Sequence, residues 1–261
     1  MSTLAEAYDA FLFDLDGVLY RGSDPIEHAS DAVTRLRAAG RKVAFVTNNS
    51  SATPDAVIDK LRSVGVDAEP HEVETSALTT AAMLAHDGVR TTFVVGEEGI
   101  RRALMDAGIE IVDGAPGSVE AVVIGLDRRA DYGSLKTASV LVEAGARLVA
   151  TNGDVTFPAA GGQRWPGAGA LLAAVVSTTG ATPVVVGKPN APILRAALGR
   201  AGGGRPLVIG DRLDTDIAGA AGLGWDSLLV LTGISSADDA ERVGPMPTFI
   251  GPSLRRLFEP V

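Results

Sequence analysis

Two carboxylates separated by one residue and followed by glycine stand directly after an apolar run in FLFDLDGVLY, at Asp14, Asp16 and Gly17. In extended backbone, residues two apart point to the same side, so Asp14 and Asp16 face one pocket while Leu15 turns into protein. Gly17 then lets the chain turn tightly. Three further polar groups follow apolar, strand-like runs: Thr47 after VAFV, Lys188 after VVVG, and Asp211 after LVIG. The C-terminal ends of strands are where open α/β sheets build their sites. Singly, each has an ordinary reading: a helix cap or turn for the Asp pair, a capping hydroxyl for Thr47, a solvated amine for Lys188 and an N-cap for Asp211. Together, an Asp pair, a hydroxyl, a lysine and a further Asp on successive strand ends make a coherent phosphate and metal site.

Charge sharpens that reading. Asp14, Asp16, Asp211, Asp214 and Asp216 would crowd one region with Lys188 as the obvious cation. Like charges at about 4 Å repel by roughly 4 kcal/mol at an effective dielectric near 20. A divalent cation relieves this, and a carboxylate environment without Cys or His suits magnesium rather than zinc.

The elements that must hold these groups alternate between strand-like and helical periods almost from end to end, which predicts an α/β fold of parallel strands joined by crossover helices. Ile26, Ala29, Val33 and Leu36 recur at helical spacing up to Gly40, and Thr53-Pro54 opens a helix whose apolar face is Val57, Ile58, Leu61 and Val64. From Thr91 a second alternation begins: FVVG, a helix over 99–107, IEIV, EAVVIG, a helix near 135–143, and RLVAT. No linker marks its edges. Thr-Asn pairs at 47–48 and 151–152 each follow a strand, too short an echo to count as a repeat.

The chain has 261 residues, 46% hydrophobic and 21% charged, enough for one large or two modest domains. Its formal charge of -9 leaves no broad basic surface for nucleic acid or an anionic membrane, so a small partner is expected. It has no cysteine, which excludes disulfides and thiolate metal sites and agrees with a reducing compartment. Glu6 and Asp9, with no basic start or apolar stretch, do not suggest a signal peptide. Runs such as 121–125 and 170–176 are far shorter than the roughly 20 apolar residues a membrane-spanning helix needs. The expected location is the cytoplasm.

DLDGV, VTNNS, GKPN and GDRLDTD, in that order, resemble the four motifs of the haloacid dehalogenase-like superfamily across nearly the whole chain. The resemblance implies a Rossmann-like parallel-sheet core with an inserted α/β cap of the C2 type, divided as core 1–80, cap 81–182 and core 183–261. It implies that Asp14 attacks phosphorus to form an aspartyl-phosphate, with Asp16 as acid and base. Dehalogenases usually lack that second Asp, so phosphoryl transfer is favoured over carbon–halogen cleavage. Thr47, Asn48 and Asn49 would bind phosphoryl oxygens and Lys188 would offset charge. Magnesium would be held by Asp14, the Asp16 carbonyl and Asp211, with Asp216 orienting a coordinated water; Asp214 has no family role. VTNNS, GKPN and GDRLDTDI are similar to the branch of 4-nitrophenyl, phosphoglycolate, pyridoxal, nucleotide and glycerol 3-phosphate phosphatases.

That branch carries its specificity loop where TNGDVTFPAAGGQRWPGAGA stands here, a Gly- and Pro-rich stretch expected to be a loop. Phe157 and Arg164 are the expected leaving-group contacts, with Gln163 and Trp165 beside them; packing of Phe157 and Trp165 within the cap is the other reading. Glycerol 3-phosphate or a related sugar-type phosphate is the expected substrate, with phosphoglycolate or a nucleotide monophosphate as alternatives. A phosphomutase or other phosphotransferase stays open, and a receiver-like phosphorylation switch would need neither the inserted segment nor Asp16. A homodimer through the cap is plausible from the branch. His28, His71 and His86 match no motif and are expected at the surface.

Overall fold

The computed structural model describes residues 2–158, 163–242 and 244–261, which divide into two compact units. One runs to Thr47 and resumes over Pro54–Glu74 and Lys188–Val261; the other comprises Asn48–Thr53 and Thr75–Gly187. These limits differ from the 81–182 division at both ends. The physical reason is visible in the helix Ser76–His86, whose Ala77, Ala81 and Leu84 are buried in the core of the second unit.

The first unit is built on a six-stranded sheet, in the spatial order Phe249–Gly251, Asp226–Val230, Pro206–Gly210, Ala10–Phe13, Lys42–Thr47 and Val73–Thr75. The pairings described along it are parallel. Strands covered on both faces need continuous apolar runs rather than alternation, and AFLF and VAFV are buried throughout. On one face Leu12, Ala44, Val46 and Val208 pack with Ile193, Leu194, Ala197 and Ala220. Phe13 and Phe45, partners in register, are fully buried with ring centroids 6.3 Å apart. The helices Ala29–Ala38 and Pro54–Ser63 fall where the spacing predicts them, and Gly40 and Gly65 follow in left-handed conformation. Because the three central strands run parallel, their C-terminal ends lie side by side, and Asp14, Thr47 and Asp211 stand there.

The second unit has its own parallel five-stranded sheet: Val184–Val185, Arg147–Ala150, Ala121–Ile124, Thr91–Val95 and Glu110–Ile111. Val94, Ala121 and Val123 face a cluster with Ile100 and Leu104, while Phe93, Val95, Val122 and Ile124 face one with Ala138, Leu141 and Val175. The described part of the 151–170 stretch, expected to be a loop, contains two strands. Thr156–Pro158 and Arg164–Pro166 pair as an antiparallel hairpin, within which Phe157 is opposite Trp165. An isolated two-stranded ribbon accepts prolines at its ends, which is why the Pro content misleads here. Its tip lies outside the described residues. Among the described residues, no helix is long and apolar enough to cross a membrane.

Candidate active site

The ladder of the Ala10–Phe13 strand continues into Asp14, whose N–H donates to Ile209 O at 2.8 Å. Beyond it the chain turns through Gly17, which takes φ +84 and donates to Tyr20 O at 2.8 Å. A side chain at Gly17 would be strained by that φ and would also run into the Asp211 carboxylate, with Asp211 Cγ 2.6 Å from an ideal Cβ. Tyr20–Arg21 then pairs with Asp24–Pro25 in a short antiparallel hairpin.

Lys188 Nζ lies at the centre of the carboxylates. It donates to Asp14 Oδ1 and to Asp216 Oδ1, each at 2.6 Å, and to Val46 O at 3.3 Å. Lys188, Asp211 and Asp216 are 4%, 1% and 1% exposed. The apolar run before Lys188 is not a neighbour of the other three strands, as the order of motifs suggests: Val184–Val185 pairs with Arg147–Ala150 in the second sheet, and the first unit resumes at Lys188. Asp216 sits in a wide π-helical turn, Leu213–Ile217, a local departure frequent at functional sites. Its Oδ2 accepts from Arg212 N at 3.3 Å. Asp214 is on the same turn but is held outward by Arg212 at 2.7 Å.

Asp14, Asp211 and Asp216 each offer an oxygen within 4.8 Å of the others. Burial drives the Asp14 carboxyl up to about 8; Lys188 opposes this, and Asp216 and Asp211 add to it. Burial and Asp216 likewise raise Asp211 to about 6, against the pull of the Ile234 N–H. Burial alone would lower the Lys188 ammonium, but Asp14 and Asp216 outweigh it and hold it charged. Asp211 Oδ2 accepts from Ile234 N at 2.7 Å, while Oδ1 is buried with no hydrogen-bond partner among the described residues. An orphaned carboxylate oxygen beside two more carboxylates, with oxygen donors alone, fits a hard divalent cation.

The Asp16 carboxylate is outside this cluster and exposed at the turn. Partial burial raises it above the usual carboxylate range, with Lys60 and Arg21 pulling against the shift. Lys60 Nζ lies over the Tyr20 ring, 5.1 Å from its centroid.

Thr47 ends its strand buried. Asn48 and Asn49, expected to reach phosphate, have their side chains engaged within the second unit. Asn48 Nδ2 donates to Asp154 Oδ2 at 3.1 Å, and Asn49 Oδ1 accepts from Ser51 N at 2.9 Å. Asn152 Nδ2 donates to Asn48 O at 2.7 Å, so the asparagines of the two Thr-Asn pairs are in contact. Phe157 and Trp165 meet edge to face at 6.0 Å, Trp165 Nε1 donates to Gln163 Oε1 at 2.8 Å, and Arg164 is exposed.

Sequence reasoning gave the segment after the Asp226–Val230 strand no part in the site. Gly233 leaves room for Asp211, and an added Cβ would collide with that carboxylate. Thr232 Oγ1 donates to Gly17 O at 2.6 Å. The only signal for either is that LVLTG, like LVIGD, is an apolar strand followed by small and polar residues.

A family model described as haloacid dehalogenase-like hydrolase matches residues 11–110, and a related HAD-hydrolase-like model matches 185–257. An acid sugar phosphatase from Staphylococcus aureus is 38% identical over 245 residues, 93% of each chain. The crystal structure of a glycerol phosphate phosphatase from Mycobacterium tuberculosis, determined with magnesium, superposes with a TM-score of 0.92 at 37% identity, covering 98% of this chain and 78% of that one. A p-nitrophenyl phosphatase from Archaeoglobus fulgidus gives 0.89 at 33% identity, covering 96% and 98%.

Proposed function

Because the chain belongs to the haloacid dehalogenase-like hydrolases, in their C2-capped branch, and is a phosphoric monoester hydrolase, we propose that Asp14 is its nucleophile and a small sugar-type phosphate its substrate. The observation that carries this reading is the buried cluster of Lys188 with Asp14, Asp211 and Asp216. Lys188 holds Asp14 at 2.6 Å and fixes one oxygen, so the carboxylate meets phosphorus from a set direction. Attack forms a bond between a carboxylate oxygen of Asp14 and phosphorus as the bond to the leaving alkoxide breaks. Asp16, raised toward its neutral form, gives its proton to that alkoxide. As a carboxylate it then takes a proton from the water that releases inorganic phosphate. Thr47 and the backbone at Asn48 and Asn49 bind phosphoryl oxygens, while the Asn48 side chain serves to hold that backbone. Magnesium would be held by Asp14, Asp211 and the Asp16 carbonyl, with Asp216 orienting a coordinated water, and when bound would supply charge that offsets the carboxylates and the phosphoryl group.

The names of the relatives, a glycerol phosphate phosphatase and an acid sugar phosphatase, favour a glycerol phosphate or a sugar phosphate among substrates. Phosphate release from about a dozen metabolite esters, with and without chelator, tests the reading. Turnover of glycerol or sugar phosphates that chelation abolishes supports it; a preference for phosphoglycolate or nucleotides rejects the substrate, and turnover immune to chelation rejects the metal. Phosphoryl transfer to a sugar hydroxyl is separated by labelled water: hydrolysis puts one oxygen-18 into each inorganic phosphate, and transfer puts none.

We assign leaving-group choice to Phe157 and Arg164 on the hairpin of the second unit, which we read as the cap. Phe157→Ala and Arg164→Ala should alter kcat/KM for different esters by different factors, up to about tenfold for one lost contact. Unchanged ratios across the panel would remove both from recognition.

Metal and proton compete for the same oxygens. With Asp14 raised to about 8 and Asp211 to about 6, the metal-free fold keeps protons that the unfolded chain, with ordinary carboxyls near 3.8, has released. The metal-free protein therefore loses stability as pH rises from about 4 to about 8. Magnesium displaces those protons, so the Tm increase it causes should be larger at pH 8 than at pH 6. An equal or smaller increase at pH 8 contradicts the assignment.

A further inference from the structure

Thr232 stands outside all four motifs, yet it joins three parts of the first unit. Its hydroxyl donates to Gly17 O at 2.6 Å, and its own carbonyl accepts the Arg21 guanidinium from the short hairpin. Two and three residues on, Ile234 N donates to Asp211 Oδ2 at 2.7 Å and Ser235 N to Asp211 O at 3.0 Å. The same stretch thus grips the Asp211 carboxylate, Arg21 beside the turn of the hairpin, and the turn behind Asp16. Gly17 is the residue of that turn with most conformational freedom. Its N–H is tied to Tyr20 O and its carbonyl to Thr232, so the two bonds together remove the freedom that glycine introduces.

We infer that Thr232 is a positioning residue for the reaction: its hydroxyl fixes the Gly17 carbonyl and through it the direction in which the turn presents Asp16 to the leaving group. This rests on Asp16 as the proton donor. A proton donor matters most for a poor leaving group: an alkoxide must be protonated as it departs, whereas p-nitrophenolate leaves without help. A misdirected Asp16 therefore costs an alkyl phosphate more than an aryl phosphate. kcat/KM isolates the steps through phosphoryl transfer, before water attacks.

The test compares Thr232→Val, which keeps the shape and loses the hydroxyl, with Thr232→Ser, which keeps the hydroxyl. For Thr232→Val, kcat/KM should fall roughly tenfold for the best alkyl phosphate substrate and about twofold for p-nitrophenyl phosphate, the scale of one lost hydrogen bond acting on proton transfer. Thr232→Ser should stay within about twofold of the parent on both, and the Tm of the two variants should agree within a few degrees. Equal losses on the two esters, no loss with valine, or a serine variant as impaired as valine would each overturn the inference. Asp16→Asn is the control for the underlying reading and should show the same asymmetry between esters, only larger. If it impairs both esters equally, the proton-donor role of Asp16 fails and the inference falls with it; asymmetry in Asp16→Asn without asymmetry in Thr232→Val rejects Thr232 alone.

Discussion

Asp14→Asn is expected to reduce turnover by about 10⁴-fold or more, because an amide cannot serve as the nucleophile and no second group replaces it. The substitution is nearly isosteric, and its amide oxygen still accepts from Lys188 Nζ, now 2.6 Å from Asp14 Oδ1. It also removes a carboxylate that burial and two neighbouring carboxylates disfavour. The metal-free variant should therefore melt no lower than the parent. Circular dichroism melts and steady-state assays on the same preparation separate the two effects. Residual activity above about 1% in a folded variant would rule out Asp14 as the nucleophile, since losing a nucleophile costs far more than that.

Lys188→Met is expected to damage stability and activity together. The parent lysine is the one cation hydrogen-bonded to both Asp14 and Asp216 among the described contacts, and all three are buried or nearly so. Removing one partner of a buried ion pair leaves uncompensated charge, with a typical loss of about 3–5 kcal/mol. Protonation of the raised Asp14 and Asp211 limits the damage at low pH, so the metal-free variant should be weakened more at pH 8 than at pH 6. Magnesium should recover part of the stability but little turnover, because the metal can offset carboxylate charge without holding Asp14 in line. Denaturant melts at the two pH values check the first expectation. A variant as stable as the parent at pH 8 would show that Lys188 does not neutralise the cluster.

The placement of the candidate site was legible in sequence wherever one polar residue ends or directly follows a strand. Asp14 after AFLF, Thr47 after VAFV and Asp211 after LVIG needed only the period of the strand and the rule that parallel strands end on one edge. Lys188 was found for a partly wrong reason: VVVG reads like a fourth strand of the same sheet, but pairing partners are not encoded locally, and it belongs to the other one. The groups that hold the site were not legible. Thr232 acts through a hydroxyl on a carbonyl 215 residues away, and Asp154 through Asn48 at a separation of 106. Such contacts leave no periodic trace, and a two-residue Thr-Asn echo was the only hint of the second. The hairpin of Phe157 and Trp165 was hidden by its glycines and prolines, because two short strands pairing only with each other need no hydrophobic alternation.

The covalent step is the most direct place to test the account. Acid quenching during turnover, followed by borohydride reduction, converts an aspartyl-phosphate to homoserine, and peptide mass spectrometry then locates it. Homoserine at position 14, absent from Asp14→Asn and absent without substrate, is the predicted result. Modification at Asp16 or at another carboxylate, with Asp14 untouched, would contradict it.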